Sequence, residues 1–198
     1  MPRSTDLHGS APDQHTDALL IIDLISDFEF PDGKSILRQA LAIAPNLARL
    51  KTRAREAGIP AIYVNDNFGR WRSDFRALIE HCREGKARLL IEKLYPEQDD
   101  YFLLKPKHSG FFSSTLETLL RYLRVRRLII TGLAGNFCVL FTANDAYMRD
   151  YELAIPSDCV ISNTAKENTE ALQLMERYLK ADTRHSQRIS FGKRKRIQ

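Results

Sequence analysis

Two patterns of apolar residues alternate along the chain. Continuous apolar runs, typical of strands buried on both faces, occupy residues 18–22, 61–64, 101–104, 128–130 and 153–155. Between them, apolar residues recur at helical spacing, most clearly over residues 36–50, 114–123 and 138–148. We therefore predict an α/β fold with a single three-layer αβα domain: a mostly parallel, Rossmann-like sheet covered by helices on both faces.

The two ends of the chain differ from this regular middle. Residues 1–16 lack a long apolar stretch and are expected to form a flexible polar leader, followed by the domain at residues 17–190 and a basic tail at residues 191–198. A last helix is predicted to open at Thr164, because Glu167 three residues later completes a capping box. Residues 181–188 are predicted to form a short edge strand.

The composition of the 198 residues excludes several classes of protein. Hydrophobic residues make up 43% and charged residues 28%, which is typical of a folded globular domain. No apolar run approaches the roughly 20 residues that span a bilayer, so we expect no membrane contact. Three cysteines do not form a disulfide framework, and we therefore expect a reducing, cytoplasmic location.

The net charge of +5 is concentrated at the carboxyl terminus. Residues 181–198 hold six basic residues against one acidic residue, so residues 1–180 are formally neutral. Within the domain, no basic stripe alternates with aromatic residues, as a nucleic-acid surface would require. We therefore predict no nucleic-acid partner and interpret the tail as a solvated terminus.

Three chemically capable residues follow predicted strands: Asp23, Lys105 and Cys138. Each also has an ordinary interpretation, respectively as a turn former, a solvated lysine and a small core residue. Ligands of such sheets bind beyond the carboxyl ends of the strands, where these three residues would meet. A cation and a helix N-terminus lower the pKa of a thiol, so we expect Cys138 to react well below pH 8.5, with Asp23 accepting its proton.

Three segments carry a family resemblance. They are ALLIIDLISDF at 18–28, LLKPKHSGFFSSTLETLL at 103–120 and LIITGLAGNFCVLFTANDAYMRDYELAIPSDCV at 128–160. In this order they resemble the isochorismatase-like cysteine hydrolases, which include nicotinamidase, N-carbamoylsarcosine amidohydrolase and ureidoacrylate amidohydrolase. The resemblance extends from about residue 17 to about residue 180 and implies the isochorismatase-type hydrolase fold.

The resemblance also implies a catalytic triad. Asp23 would be the general base, Lys105 would hold the base and the thiolate electrostatically, and Cys138 would be the nucleophile. The family places a non-proline cis peptide in the last motif, here at Leu133–Ala134. The backbone N–H groups of Ala134 and Cys138 would then form an oxyanion hole. The implied activity is hydrolysis of an amide or ureide C–N bond of a small molecule through a thioester.

The stretch after the second strand bears on metal and substrate. Nicotinamidases of the family bind a metal there with Asp and His, but residues 65–75 contain no histidine, so we expect neither a metal nor any other cofactor. Aromatic and basic side chains in the motifs and in this stretch are candidate substrate contacts. These candidates are Phe28, Arg70, Trp71 and Phe112, with Arg72 and His108 as further residues that could reach the pocket.

Two other expectations concern partners and the alternative function. Relatives in the family commonly form dimers or tetramers, so the resemblance implies a homo-oligomer. A non-catalytic binding or scaffold module is the alternative, since a fold does not guarantee a function. No Gly-x-Gly-x-x-Gly motif follows the first strand, which removes the main argument for a dinucleotide-binding protein.

Overall fold

The central sheet of the computed structural model, which describes residues 14–66 and 74–192, has six parallel strands. Their bounds are β1 Asp17–Ile22, β2 Ala61–Asp66, β3 Tyr101–Lys105, β4 Arg127–Leu133, β5 Glu152–Ala154 and β6 Val160–Ile161. The strand order is β3-β2-β1-β4-β5, and β6 pairs with the end of β4. The parallel sheet predicted from the continuous apolar runs is confirmed.

In the described part of the chain, six α-helices cover the two faces of this sheet. They are α1 Gly33–Glu56, α2 Phe75–Glu84, α3 Arg88–Lys93, α4 Leu116–Tyr122, α5 Leu140–Tyr147 and α6 Ala165–Leu179. One core contains the buried side chains of α1, α2 and α3, and the other contains those of α4, α5 and α6. Alternate β1 residues enter the two cores, Leu19 and Ile21 the first, Leu20 and Ile22 the second. This alternation confirms the three-layer prediction.

The strand order places a crevice between β1 and β4. The chain runs outward from β1 to β2 and β3, then returns to the other side of β1 with β4. At such a reversal, the connections after the two central strands diverge to opposite faces and leave a crevice at their carboxyl ends. Asp23 directly follows β1, and the segment that carries Cys138 follows β4. The fold therefore brings these two residues to the same crevice.

Several local features refine the sequence predictions. The N-cap half of the predicted capping box is confirmed, because Thr164 Oγ1 accepts the N–H of Glu167; the Glu167 carboxylate accepts the Thr164 hydroxyl at 2.9 Å. The predicted edge strand at 181–188 is wrong. Asp182 makes only one bridge, to Ala154. The residues that follow it turn into a short 3-10 helix, because the Asp158 carboxylate accepts the N–H and hydroxyl of Ser186.

The ends of the described chain add two observations. Phe191 packs against the first core and Gly192 donates its N–H to Asp17 Oδ2 at 2.7 Å, so contacts with the domain continue two residues past the predicted boundary at 190. Within residues 14–66 and 74–192, none of the helices has both the length and the apolar character that a bilayer crossing requires.

Candidate active site

Asp23 is held at the end of β1 by the neighbouring strand. Its N–H donates to Val64 O at 3.1 Å, and its Oδ1 accepts the backbone N–H of Asp66 at 2.7 Å. The backbone at Asp23 is left-handed, with φ 53°, a conformation that Asp tolerates better than most side chains. The main chain of β2 therefore fixes the orientation of this buried carboxylate.

Lys105 reaches the crevice from the edge of the sheet. It ends β3, and β2 lies between β3 and β1, so only a long side chain can extend as far as Asp23. The Lys105 Nζ lies 2.8 Å from Asp23 Oδ2, 3.6 Å from Cys138 Sγ and 3.8 Å from Asp66 Oδ2. The Lys105 side chain is fully buried, and its ammonium therefore bridges the expected base and the expected nucleophile without solvent between them.

Cys138 lies in a π-helical turn, Gly135–Val139, between β4 and α5. The Leu133–Ala134 peptide directly before this turn is cis, as the family resemblance implies. Three N–H groups of the turn are already engaged: those of Phe137 and Val139 donate to Ala134 O, and that of Asn136 donates to Ser162 Oγ. The two N–H groups expected to form the oxyanion hole, of Ala134 and Cys138, are not among these three.

A partly buried chain of hydrogen bonds, through Ser162 and Asn168, supports this turn. Ser162 Oγ, which accepts the Asn136 N–H at 3.0 Å, donates to Asn168 Oδ1 at 3.0 Å, and Asn168 Nδ2 donates to Val160 O at 3.1 Å. The turn approaches these two side chains so closely that a Cβ on Gly135 would stand 2.6 Å from Asn168 Oδ1 and 2.8 Å from Ser162 Oγ. Glycine is therefore required at position 135.

The pKa of the Cys138 thiol differs from the sequence expectation. Burial raises the pKa of the Cys138 thiol to about 12, and the charge of Asp23 acts in the same direction. The Lys105 ammonium lowers this pKa only in part. The expected low pKa is therefore wrong, because loss of water and a nearby carboxylate outweigh one cation. Burial therefore favours the neutral form of the Cys138 thiol.

The two charged neighbours of Cys138 are also perturbed. Burial raises the pKa of the Asp23 carboxyl above its ordinary value, against the opposing effect of Lys105. Burial alone would lower the pKa of Lys105, but its pairing with Asp23, Cys138 and Asp66 raises it. A raised pKa makes Asp23 a better proton acceptor, while Lys105 stays charged.

The residues expected to contact the substrate lie in different environments. Phe28 is fully buried in the first core, so the structure assigns it to packing and not to an exposed pocket wall. Phe112 lies on the loop after Lys105 with 54% of its surface exposed. His108, on the same loop, packs against Phe137 with ring centroids 4.0 Å apart and the rings tilted by 43°, which brings it to the residue before Cys138. Arg70, Trp71 and Arg72 lie outside the described residues.

Sequence reasoning missed the role of Asp66 in this site. In register, Asp66 pairs with Lys105 across β2 and β3, so both follow from the same strand ends. The predicted second strand ends at residue 64. Extending it by two residues would have placed Asp66 at the strand end, beside Lys105. Among residues 14–66 and 74–192, no three His, Cys, Asp or Glu side chains come together in a group that could hold a metal ion. The three cysteines, Cys82, Cys138 and Cys159, are free thiols.

The chain is similar to several known proteins. The sequence profile of the Isochorismatase domain matches residues 17–186. The uncharacterized isochorismatase family protein YaaI of Bacillus subtilis is 46% identical over 172 residues, which cover 87% of this chain and 95% of that protein. The ureidoacrylate amidohydrolase RutB of Cronobacter sakazakii is 29% identical over 171 residues, covering 71% of this chain and 72% of that protein.

A solved structure supports the fold. N-carbamoylsarcosine amidase from Thermoplasma acidophilum superposes with a TM-score of 0.68 at 24% identity, over 88% of this chain and 99% of that chain. Together with the strand order, this similarity establishes a parallel α/β fold with a crevice between β1 and β4. The chain belongs to the isochorismatase family.

Proposed function

We propose that this protein is a metal-independent amidohydrolase that cleaves an amide or ureide C–N bond of a small molecule, with Cys138 as the nucleophile. One observation carries the proposal: the buried Lys105 Nζ contacts both Asp23 Oδ2, at 2.8 Å, and Cys138 Sγ, at 3.6 Å. A base, a nucleophile and a cation between them are the groups that acyl transfer requires. The relative RutB is a ureidoacrylate amidohydrolase, which supports the C–N bond as the target.

The raised pKa of Cys138 determines the order of proton transfers in the proposed mechanism. Because the resting thiol is neutral, Asp23 takes its proton as Sγ attacks the substrate carbonyl. The N–H groups of Ala134 and Cys138 would donate to the oxyanion. Asp23 then returns the proton to the leaving nitrogen as the C–N bond breaks, and a thioester remains on Cys138.

The second half of the proposed reaction regenerates the thiol. Asp23 takes a proton from water, the hydroxide oxygen adds to the thioester carbonyl, and the acid product leaves as the C–S bond breaks. The proton on Asp23 then returns to Cys138. Lys105 stays protonated throughout, because the neighbouring carboxylates of Asp23 and Asp66 raise its pKa. Its role is to hold Asp23 and to stabilise the thiolate as it forms.

A substrate panel tests this proposal. The purified protein is incubated with N-carbamoyl acids, ureido acids and simple amides, and ammonia release is measured. We expect hydrolysis of at least one class, loss of it in Cys138→Ala, and its retention in Cys82→Ala, which removes a buried thiol on α2. Full activity in Cys138→Ala would refute the mechanism. Absence of turnover, with no acyl adduct on Cys138 by mass spectrometry, would favour the non-catalytic binding module.

A further inference from the structure

Thr142 joins the nucleophile segment to the loop that follows Lys105. It lies on α5, four residues after Cys138, and is fully buried. Its Oγ1 donates to Cys138 O at 2.7 Å and accepts the backbone N–H of Gly110 at 2.9 Å. Gly110 is five residues after Lys105, on the connection between β3 and α4. One hydroxyl therefore links the segments that carry two members of the proposed triad.

Neighbouring contacts restrict movement of the loop at residues 109–111 relative to α5. The Ser109 hydroxyl donates to the Asp145 carboxylate, also on α5, and accepts the N–H of Phe111 at 3.1 Å. A Cβ on Gly110 would stand 3.0 Å from Val64 Cγ1, so the loop backbone is packed tightly against the core. The loop cannot shift along α5 without breaking hydrogen bonds at two consecutive residues, Ser109 and Gly110.

Lys105 is the last residue of β3 and directly precedes the chain segment that contains this loop. Lys105 Nζ must stay within 3.6 Å of Cys138 Sγ while it also pairs with Asp23, although its flexible side chain comes from the edge of the sheet. A valine at position 142 would leave the buried Gly110 N–H without its acceptor, and an unpaired buried donor favours movement of the loop. Displacements of about 1 Å in an active site can reduce turnover about a hundredfold.

We propose that Thr142 is a positioning residue: its hydroxyl sets the distance between Lys105 and Cys138 by fixing the Lys105 loop to α5. The proposal rests on the proposed function, because it treats Cys138 as the nucleophile. Thr142 does not touch the reacting atoms, so its effect passes through Lys105. Since Lys105 lowers the pKa of Cys138, moving it away makes the thiol less reactive.

The test compares three substitutions. Thr142→Val removes the hydroxyl at nearly constant volume, and Thr142→Ser keeps it. Thr52→Val is the matched control, because Thr52 Oγ1 also donates to a carbonyl four residues back. Thr52 occupies an exposed position on α1, far from the crevice. We measure kcat and KM with a substrate from the panel, and the rate of disulfide exchange at Cys138, resolved by peptide mass spectrometry.

For Thr142→Val we expect kcat to fall about 10- to 100-fold with KM within twofold, and exchange at Cys138 to slow by about threefold or more. Thr142→Ser and Thr52→Val should stay within threefold of the unmodified protein. A folded Thr142→Val with unchanged kcat and unchanged or faster exchange would overturn the proposal. So would a Thr142→Ser as impaired as Thr142→Val, since that result would implicate the methyl group and packing.

A second variant tests the proposal if the first one is unstable. If Thr142→Val does not fold, Ser109→Ala removes the adjacent bond between the same loop and α5. The proposal then predicts a smaller fall in kcat at constant KM, and an unchanged kcat would overturn it. Failure of the proposed function is a separate outcome, because it requires activity in Cys138→Ala, whereas failure of this inference requires only an unaffected Thr142→Val.

Discussion

Replacing Asp23 with asparagine should change thiol reactivity and hydrolysis in opposite directions. Asparagine keeps the shape of the side chain and can still accept the N–H of Asp66 through Oδ1. It removes the charge that helps to raise the pKa of Cys138, so this pKa should fall. It also removes the proposed proton acceptor, so hydrolysis should fall. Asp66, 3.8 Å from the Lys105 Nζ, leaves the ammonium an anionic neighbour.

The magnitude follows from the pKa of about 12 for Cys138 against an ordinary 9.0. At pH 7 this difference reduces the thiolate fraction about a thousandfold. A more basic thiolate is more nucleophilic, with a Brønsted coefficient of about 0.4–0.5, so exchange with a disulfide should be about 30- to 60-fold slower than for an ordinary thiol. Each tenfold gain in thiolate in Asp23→Asn should accelerate exchange about three- to fourfold. Hydrolysis should fall by about 10²- to 10⁴-fold, as expected for loss of a general base.

The assay follows exchange with an aromatic disulfide between pH 6 and pH 10, and peptide mapping separates Cys138 from the two buried thiols. Circular dichroism at each pH confirms that the fold persists. In the unsubstituted protein, the rate of exchange at Cys138 should increase about tenfold per pH unit up to pH 10, because the pH stays below the pKa of this thiol. Comparing one thiol in two variants removes differences in access.

Two results would refute this reasoning. A plateau of the exchange rate below pH 9 in the unmodified protein would show that Cys138 is already largely ionised, contrary to the effect of burial. Slower exchange in Asp23→Asn would show that Asp23 does not raise the pKa of Cys138. A third result, unchanged hydrolysis in Asp23→Asn, would leave the electrostatics intact and remove Asp23 as the base.

Two other substitutions test local structure. Gly135→Ala places a Cβ 2.6 Å from Asn168 Oδ1, so kcat and the thermal midpoint of unfolding should both fall. In the control Gly85→Ala the new Cβ would meet nothing closer than 3.8 Å, so neither quantity should change. Equal effects of the two substitutions would contradict the packing argument. Thr164→Ala removes the N-cap of α6 and should lower the free energy of unfolding in urea by about 1 kcal/mol at unchanged kcat; an unchanged urea midpoint would contradict the cap.

The sheet and the meeting of Asp23, Lys105 and Cys138 were predictable from sequence for one physical reason. A strand buried on both faces must be apolar throughout, and parallel strands end at the same edge, so polar residues after such runs come together. Helices α2 and α3, which pack in the first core, were harder to predict. In α2 only Ile79 and Cys82 are buried, and two buried positions in ten residues do not establish a helical period. Sequence reasoning assigned no element there.

Errors arose where the outcome depended on distant contacts. The predicted strand at 181–188 makes one bridge, from Asp182 to Ala154, and its later course is set by the Asp158 carboxylate, which bonds Ser186 from 28 positions away. The pKa of Cys138 depends on how much water the folded site excludes, and Phe28 is a core residue because α1 covers it. Spacing along the chain contains none of this information.

The main chain and the side chain of Asp66 have separate roles. The main-chain N–H orients Asp23, and the carboxylate lies beside the Lys105 ammonium. The base is oriented by an amide that every residue except proline possesses, so its alignment does not depend on the side chain at position 66. That side chain, next to the Lys105 ammonium and 40% exposed, can therefore be exchanged without losing the orientation of Asp23. A substitution at position 66 other than proline would thus change the charge beside the Lys105 ammonium while keeping the main-chain hydrogen bond that orients Asp23.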